Sequence, residues 1–149
     1  MKYTTKNETT GFDFGGSVIA EAKQMIGYFY MLLDDVRIKP ENSCNRDIRE
    51  MRTNNLNFTI TNGQITALIE EGYKVYDANE KLVRQEADKT VPQEEYNEVL
   101  KSVAEGSIYS LEKKENEYII DIDTEEHNYH MIIAGTEDIE EWDRFLTLE

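Results

Sequence analysis

The stretch SVIAEAKQMIGYFYMLLDDV, residues 17–36, decides the fold. Val18, Ala22, Met25, Phe29, Leu32 and Val36 recur at alternating steps of four and three, and Ile19, Ile26 and Leu33 widen the stripe. That spacing is the apolar face of an α-helix. Ser17 stands where an N-cap belongs, and Pro40 stops any continuation. The stretch therefore predicts a helix of about 20 residues, about 30 Å long at the usual rise. Its polar face, Glu21, Lys23, Gln24, Asp34 and Asp35, is narrow, so the helix should be covered on more than one side. A homodimer seam along the 18–36 helix fits the same spacing. The run is short and Gly27 interrupts it, which favours a core helix.

Residues 1–16 are polar, carry Gly11, Gly15 and Gly16, and read as a mobile lead pinned by Phe12 and Phe14. Residues 17–149 then form one domain, a length that suits a single core. A short helix is expected over 43–52, with Arg46, Arg49 and Arg52 on one face. A solvated or ion-paired face explains those arginines more simply than a phosphate site. Residues 56–60 alternate as a strand. Thr61 and Gln64 form a capping box ahead of Ile65, Leu68 and Ile69, which predicts a helix stopped at Gly72. An Asn62-Gly63 hairpin turn is the competing reading.

Further on, residues 73–77 and 81–85 read as a hairpin, and Val91-Pro92 opens a helix that buries Tyr96, Val99, Leu100 and Val103 and ends at Gly106. Segments 107–113, 117–124 and 128–134 alternate as a three-stranded meander. A last helix is expected over 136–146, capped by Thr136, with Glu137 and Asp138 in its first turn and Ile139, Trp142, Phe145 and Leu146 as its apolar face. The fold class expected is α+β: a long N-terminal helix packed on an antiparallel sheet, with further short helices.

The meander fixes its own register. Tyr118, Ile120 and Ile122 share one face of the middle strand, and Tyr129, Met131 and Ile133 share one face of the next. Matching these faces sets Ile122 opposite Tyr129, Ile120 opposite Met131 and Tyr118 opposite Ile133, since a slip by one would reverse every side chain. The other face then pairs Asp121 with His130 and Asp123 with Asn128.

The chain carries 31 Asp and Glu against 16 Lys and Arg, a formal charge of −15. The charge is regional. Residues 1–53 hold 8 acids and 8 bases, residues 54–105 hold 10 and 5, and residues 106–149 hold 13 and 3. Without a basic excess there is nothing to neutralise phosphates, so direct nucleic-acid binding is not expected. No apolar run is long enough to span a membrane, the first ten residues lack the pattern of a secretory signal, and Cys44 is the only cysteine. These features suggest a cytoplasmic protein.

Chemistry-bearing motifs are few. Asp121, Asp123, Glu125, His127 and His130 are reasonable metal ligands by type, but the EF-hand spacing fails, and a nuclease would need a basic groove. A nucleophilic Cys44 paired with a histidine has no supporting local signature. No phosphate loop or nucleophile elbow occurs. Neither an enzyme, a cofactor nor a metal is therefore expected. The acidity points instead to a surface made of Glu117, Asp121, Asp123, Glu125, Glu126, Glu137, Asp138, Glu140 and Glu141, which would bind a basic, nucleic-acid-binding protein partner. Anti-CRISPR proteins, nucleic-acid mimics and toxin-immunity proteins work on this principle, so a small protein antagonist is one expectation. The alternatives are a cytosolic interaction or small-ligand-binding domain whose acidity only aids solubility, and a metal-dependent enzyme.

Overall fold

The computed structural model describes residues 2–148. The chain is mostly β, 54% strand and 9% helical. In chain order the strands are β1 (Tyr3–Lys6), β2 (Phe12–Asp13), β3 (Val18–Met25), β4 (Tyr28–Asp34), β5 (Val36–Ile38), β6 (Met51–Thr53), β7 (Leu56–Thr61), β8 (Gln64–Glu70), β9 (Tyr73–Tyr76), β10 (Leu82–Glu86) and β11 (Lys89–Thr90). A single turn of 3-10 helix then runs into α1 (Tyr96–Ser102), followed by β12 (Ser107–Lys114), β13 (Glu117–Asp123), β14 (Asn128–Ala134) and β15 (Glu137–Trp142).

The expected α+β class with a long N-terminal helix is overturned. Residues 17–36 form an antiparallel hairpin, β3 and β4, across Ile26-Gly27, with Gly27 in the left-handed region at φ 87°. No 18–36 helix exists to form a dimer seam. Phe29, Met31 and Leu33 alternate into the core along β4. On β3 the register shifts at Ala20, a β-bulge, so Ile19 and Ala22 face the same side three residues apart. That phase slip, together with the outward-facing apolar Val18, Met25 and Leu32, imitates a helical stripe.

The same device explains the second missing helix. Opposite β14, the register of β8 shifts at Thr66, and Ile65 and Leu68 both turn inward. The final helix is also absent: residues 137–142 are strand β15, whose inward positions are Asp138, Glu140 and Trp142. Residues 43–52 are not helical either. Turns there lead into β6, where Arg52 bridges to Leu146.

The helix over 96–102, the 73–86 hairpin and the 107–134 meander form as expected. The β13–β14 register is residue for residue the one dictated by the apolar faces. In the segment read as a lead, β1 pairs with β15 and Thr5 is buried.

Ten strands make one antiparallel sheet, in the order β1-β15-β7-β4-β3-β12-β13-β14-β8-β11. β7 and β8 do not pair with each other. They are one strand bent at Asn62-Gly63, and β14 and β15 are one strand bent at Gly135-Thr136. The two run antiparallel through both bends. Thr61 faces Glu137 before them and Gln64 faces Ala134 after them, three residues along each chain.

The sheet thereby returns on itself as a barrel whose staves are β3, β4, β7–β8, β14–β15, β13 and β12. β3 and β12 pair only at Val18 and Ser107, and α1 packs against β3, turning Leu100 and Val103 inward. The small sheet β2-β5-β6 adds Phe12, Val36 and Ile38 to the core. Edge-to-face contacts link Phe14 to Phe58 and Phe58 to Tyr118 through the interior.

The bends require close approach. A Cβ on Gly135 would lie 2.2 Å from Ile60 Cγ2. Gly135→Ala should therefore destabilise the fold by about 1–3 kcal/mol, the usual cost of overpacking. Urea melts should show a lower midpoint with an unchanged slope. A midpoint equal to wild type would mean that the bend accommodates the methyl group.

Candidate functional site

The nine carboxylates expected to form one surface are split among several places. Asp138 and Glu140 are fully buried inside the barrel and belong to no surface. Glu117 is exposed at the far end of β13, paired across to Lys114 and Ala134. Glu137 and Glu141 lie beyond the Gly135 bend on β15, where Glu137 faces Lys6 at 3.8 Å. Asp121, Asp123, Glu125 and Glu126 stay together.

These four gather at one end of the barrel. Asp121 accepts from Ser110 Oγ at 3.1 Å and sits 2.7 Å from His130 Nδ1. Glu71, next along the sheet, completes a group with Asp121 and His130 whose ligand-type atoms lie within 4.8 Å of one another. Glu71 is held there by its N–H, which donates to the Asn128 carbonyl. The link from β13 to β14 is clamped by Thr124: its hydroxyl donates to the His127 carbonyl at 2.6 Å and accepts from the His127 N–H at 3.0 Å. The clamp places Glu125 and Glu126 at the exposed tip.

Beside this tip is a cleft of about 620 Å³, lined by Glu70, Glu105, Glu125, Glu126, His127 and Tyr129 among others. Glu70 comes from the end of β8 and Glu105 from the turn after α1. Glu105 adopts φ 72° and donates its N–H to Ile19 O. Gly106 follows because a Cβ there would lie 2.8 Å from Asp123 O. Burial, the largest cause, raises the pKa of Tyr129, so the cleft keeps a neutral phenol in its wall. His127 Nδ1 stands 3.8 Å from Glu70. Residues 70, 71 and 105 were missed in the sequence because they reach the site only through strand pairing and a helix end distant in the chain.

Other candidates are dispersed. Arg49 pairs with Asp47 two residues away, and Arg52 donates to the Thr147 carbonyl, so the arginines form no phosphate cradle. The Cys44 thiol donates to the Thr4 carbonyl at 3.7 Å, while the two histidines sit at β14.

The interior pair is a separate chemical centre. Asp138 Oδ1 accepts from Tyr118 OH at 2.7 Å and from Lys113 Nζ at 3.2 Å. Glu140 Oε1 accepts from Thr5 Oγ1 at 2.7 Å. Asp138 Oδ2 and Glu140 Oε2 are buried without a separate donor among the described residues. Two adjacent carboxylates in a dry interior cannot both stay ionised, and one shared proton satisfies both oxygens. Burial, with the Asp138 carboxyl next in importance, pushes Glu140 up to about 10. The same burial and the Asp138 carboxylate raise Tyr118 well above the ordinary phenol value.

Glu140 therefore binds its proton more tightly folded than unfolded. Its contribution to stability is complete below the unfolded value of 4.5 and is lost as pH rises toward about 10. Glu140→Gln keeps an acceptor for Thr5 and a donor for Asp138 without a titrating group. Urea unfolding from about pH 5 to 10, with Lys113 replaced by Arg in both proteins so that the Asp138 carboxyl stays free, should show the protein with Glu140 losing stability and the Glu140→Gln variant nearly flat over this window. Parallel profiles for the two proteins would refute the shared proton.

The chain matches no protein-family model, no curated protein and no solved structure.

Proposed function

We propose that the protein is a small antagonist that binds a basic, nucleic-acid-binding protein through the acidic end of its barrel. The supporting observation is the collection there of Glu70, Glu71, Glu105, Asp121, Asp123, Glu125 and Glu126 with no lysine or arginine within ion-pair distance of any of them, among the described residues. Unneutralised charge of one sign on a concave surface attracts a partner of the other sign and repels itself, so bringing these acids together opposes folding. A cationic side chain entering the cleft would relieve that repulsion and stack beside the Tyr129 and His127 rings.

Carboxylates on neighbouring strands stand about 5 Å apart, comparable to successive phosphates along a nucleic-acid strand. The surface therefore suits a groove built for phosphates. Binding of this kind is fast and steeply salt-dependent.

The test is capture of a basic partner from native lysate on the immobilised protein at low ionic strength, followed by salt elution. Reversing Glu125 and Glu126 to Lys should weaken the captured complex at least about tenfold, or ~1.4 kcal/mol, at low salt. Glu117→Lys, at the other end of β13, should change it little. Binding that ignores both salt and the Glu125/Glu126 reversal would reject the electrostatic reading.

A further inference from the structure

We propose that Lys113 and Asp138 condense to an intramolecular amide that staples β12 to β15, with Glu140 moving the protons and Tyr118 holding the developing oxyanion. The inference stands on the interior cluster and is independent of the acidic end of the barrel.

Lys113, Tyr118 and Glu140 each meet the Asp138 carboxyl. The nucleophile is Lys113, whose Nζ lies 3.2 Å from Asp138 Oδ1 and whose side chain is 22% exposed. The electrophile is the Asp138 carboxyl carbon, in a side chain with no exposed surface. Tyr118 OH donates to the same Oδ1 at 2.7 Å, polarising the carbonyl and ready for the negative charge that forms there on attack. The second oxygen, Oδ2, has no other donor and shares its proton with Glu140, whose Oε2 is the other orphan. Asn7 Oδ1 accepts from Lys113 Nζ at 3.0 Å and from the Asp138 N–H at 3.0 Å, fixing the two partners against each other. β12 and β15 are not hydrogen-bonded neighbours in the sheet, so the bond would join elements that no ladder joins.

The step balances without a co-reactant. Proton transfer within the ion pair leaves a neutral amine and a protonated Asp138 carboxyl. The amine lone pair attacks Cγ and forms the C–N bond, while the C=Oδ1 electron pair moves onto Oδ1 under the Tyr118 hydroxyl. Glu140 gives its proton to the Oδ2 hydroxyl, which leaves as water with the electrons of the broken C–O bond. The water just released relays the nitrogen's extra proton to Glu140, which returns to its starting state. One ammonium and one carboxylate become one amide and one water, and nothing is oxidised or reduced. Amide formation between separate molecules in water is disfavoured, but fixed contact of the partly exposed amine with a buried carboxyl supplies a very high effective concentration, on the order of 10⁵ M or more.

The intact mass of the purified full chain decides the matter. The expected mass is that of the linear sequence less one water, and proteolysis should release a branched peptide joining the segments around Lys113 and Asp138. Lys113→Arg, which keeps the charge but cannot form this amide, should have its full linear mass. Glu140→Gln should also stay linear, because the amide cannot relay the proton. A wild-type chain at its full linear mass after long incubation would overturn the proposal. So would a lost water mapped elsewhere, as in a succinimide. A crosslink that persists in Glu140→Gln would overturn the role given to Glu140.

Discussion

Continuous pairing of two bent strands holds this molecule together. The 56–70 strand and the 128–142 strand run side by side and keep register through coincident bends at Asn62-Gly63 and Gly135-Thr136, slipping by one residue only beyond them at Thr66. Each strand therefore has neighbours on both parts of the sheet, and the sheet must close. The core, the small end sheet and the placement of α1 against β3 all follow from that closure. Pairing of this kind is long-range in sequence, so its loop entropy must be overcome before its hydrogen bonds form.

Closure also gives the acidic residues two different environments. Alternation along β15 sends Asp138 and Glu140 inward and Glu137 and Glu141 outward. Inside, desolvation penalises the charged form, and the pair is tolerable only with a shared proton and the donors Tyr118, Lys113 and Thr5. Outside, the acids at the end of β13 face water, with no lysine or arginine within ion-pair distance among the described residues. The same residue types thus serve a dry proton-bearing centre and a wet charged surface.

Much of the local structure was legible. The meander was readable because period-two alternation of large apolar residues in 117–134 allows only one register. The 73–86 hairpin carried ordinary turn residues, and the 96–102 helix a Pro at its start and acids in its first turn. Two of the expected helices, over 17–36 and 61–72, share one physical cause: the extra residues at Ala20 and Thr66 put Ile19 with Ala22, and Ile65 with Leu68, on one face at helical spacing. The strict alternation of Phe29, Met31 and Leu33 after Gly27 was the signal for a strand. β15 was misread for another reason. Its inward positions are acids, so the hydrophobic pattern pointed to the wrong face. Of the site, Asp121, Asp123, Glu125 and Glu126 were visible in the sequence, whereas Glu70, Glu71 and Glu105 were not.

Residue type and near neighbours are enough for the charge, its concentration toward the C-terminal part, and the register of the 117–134 hairpin. Tertiary structure alone decided which acids face water. It brought Glu70, Glu71 and Glu105 to the β13–β14 turn, and it placed Lys113, Tyr118 and Thr5 around Asp138 and Glu140. The physical reason is that a strand's two faces are equivalent until the sheet curls, and the curl is set by pairing between segments far apart in the chain.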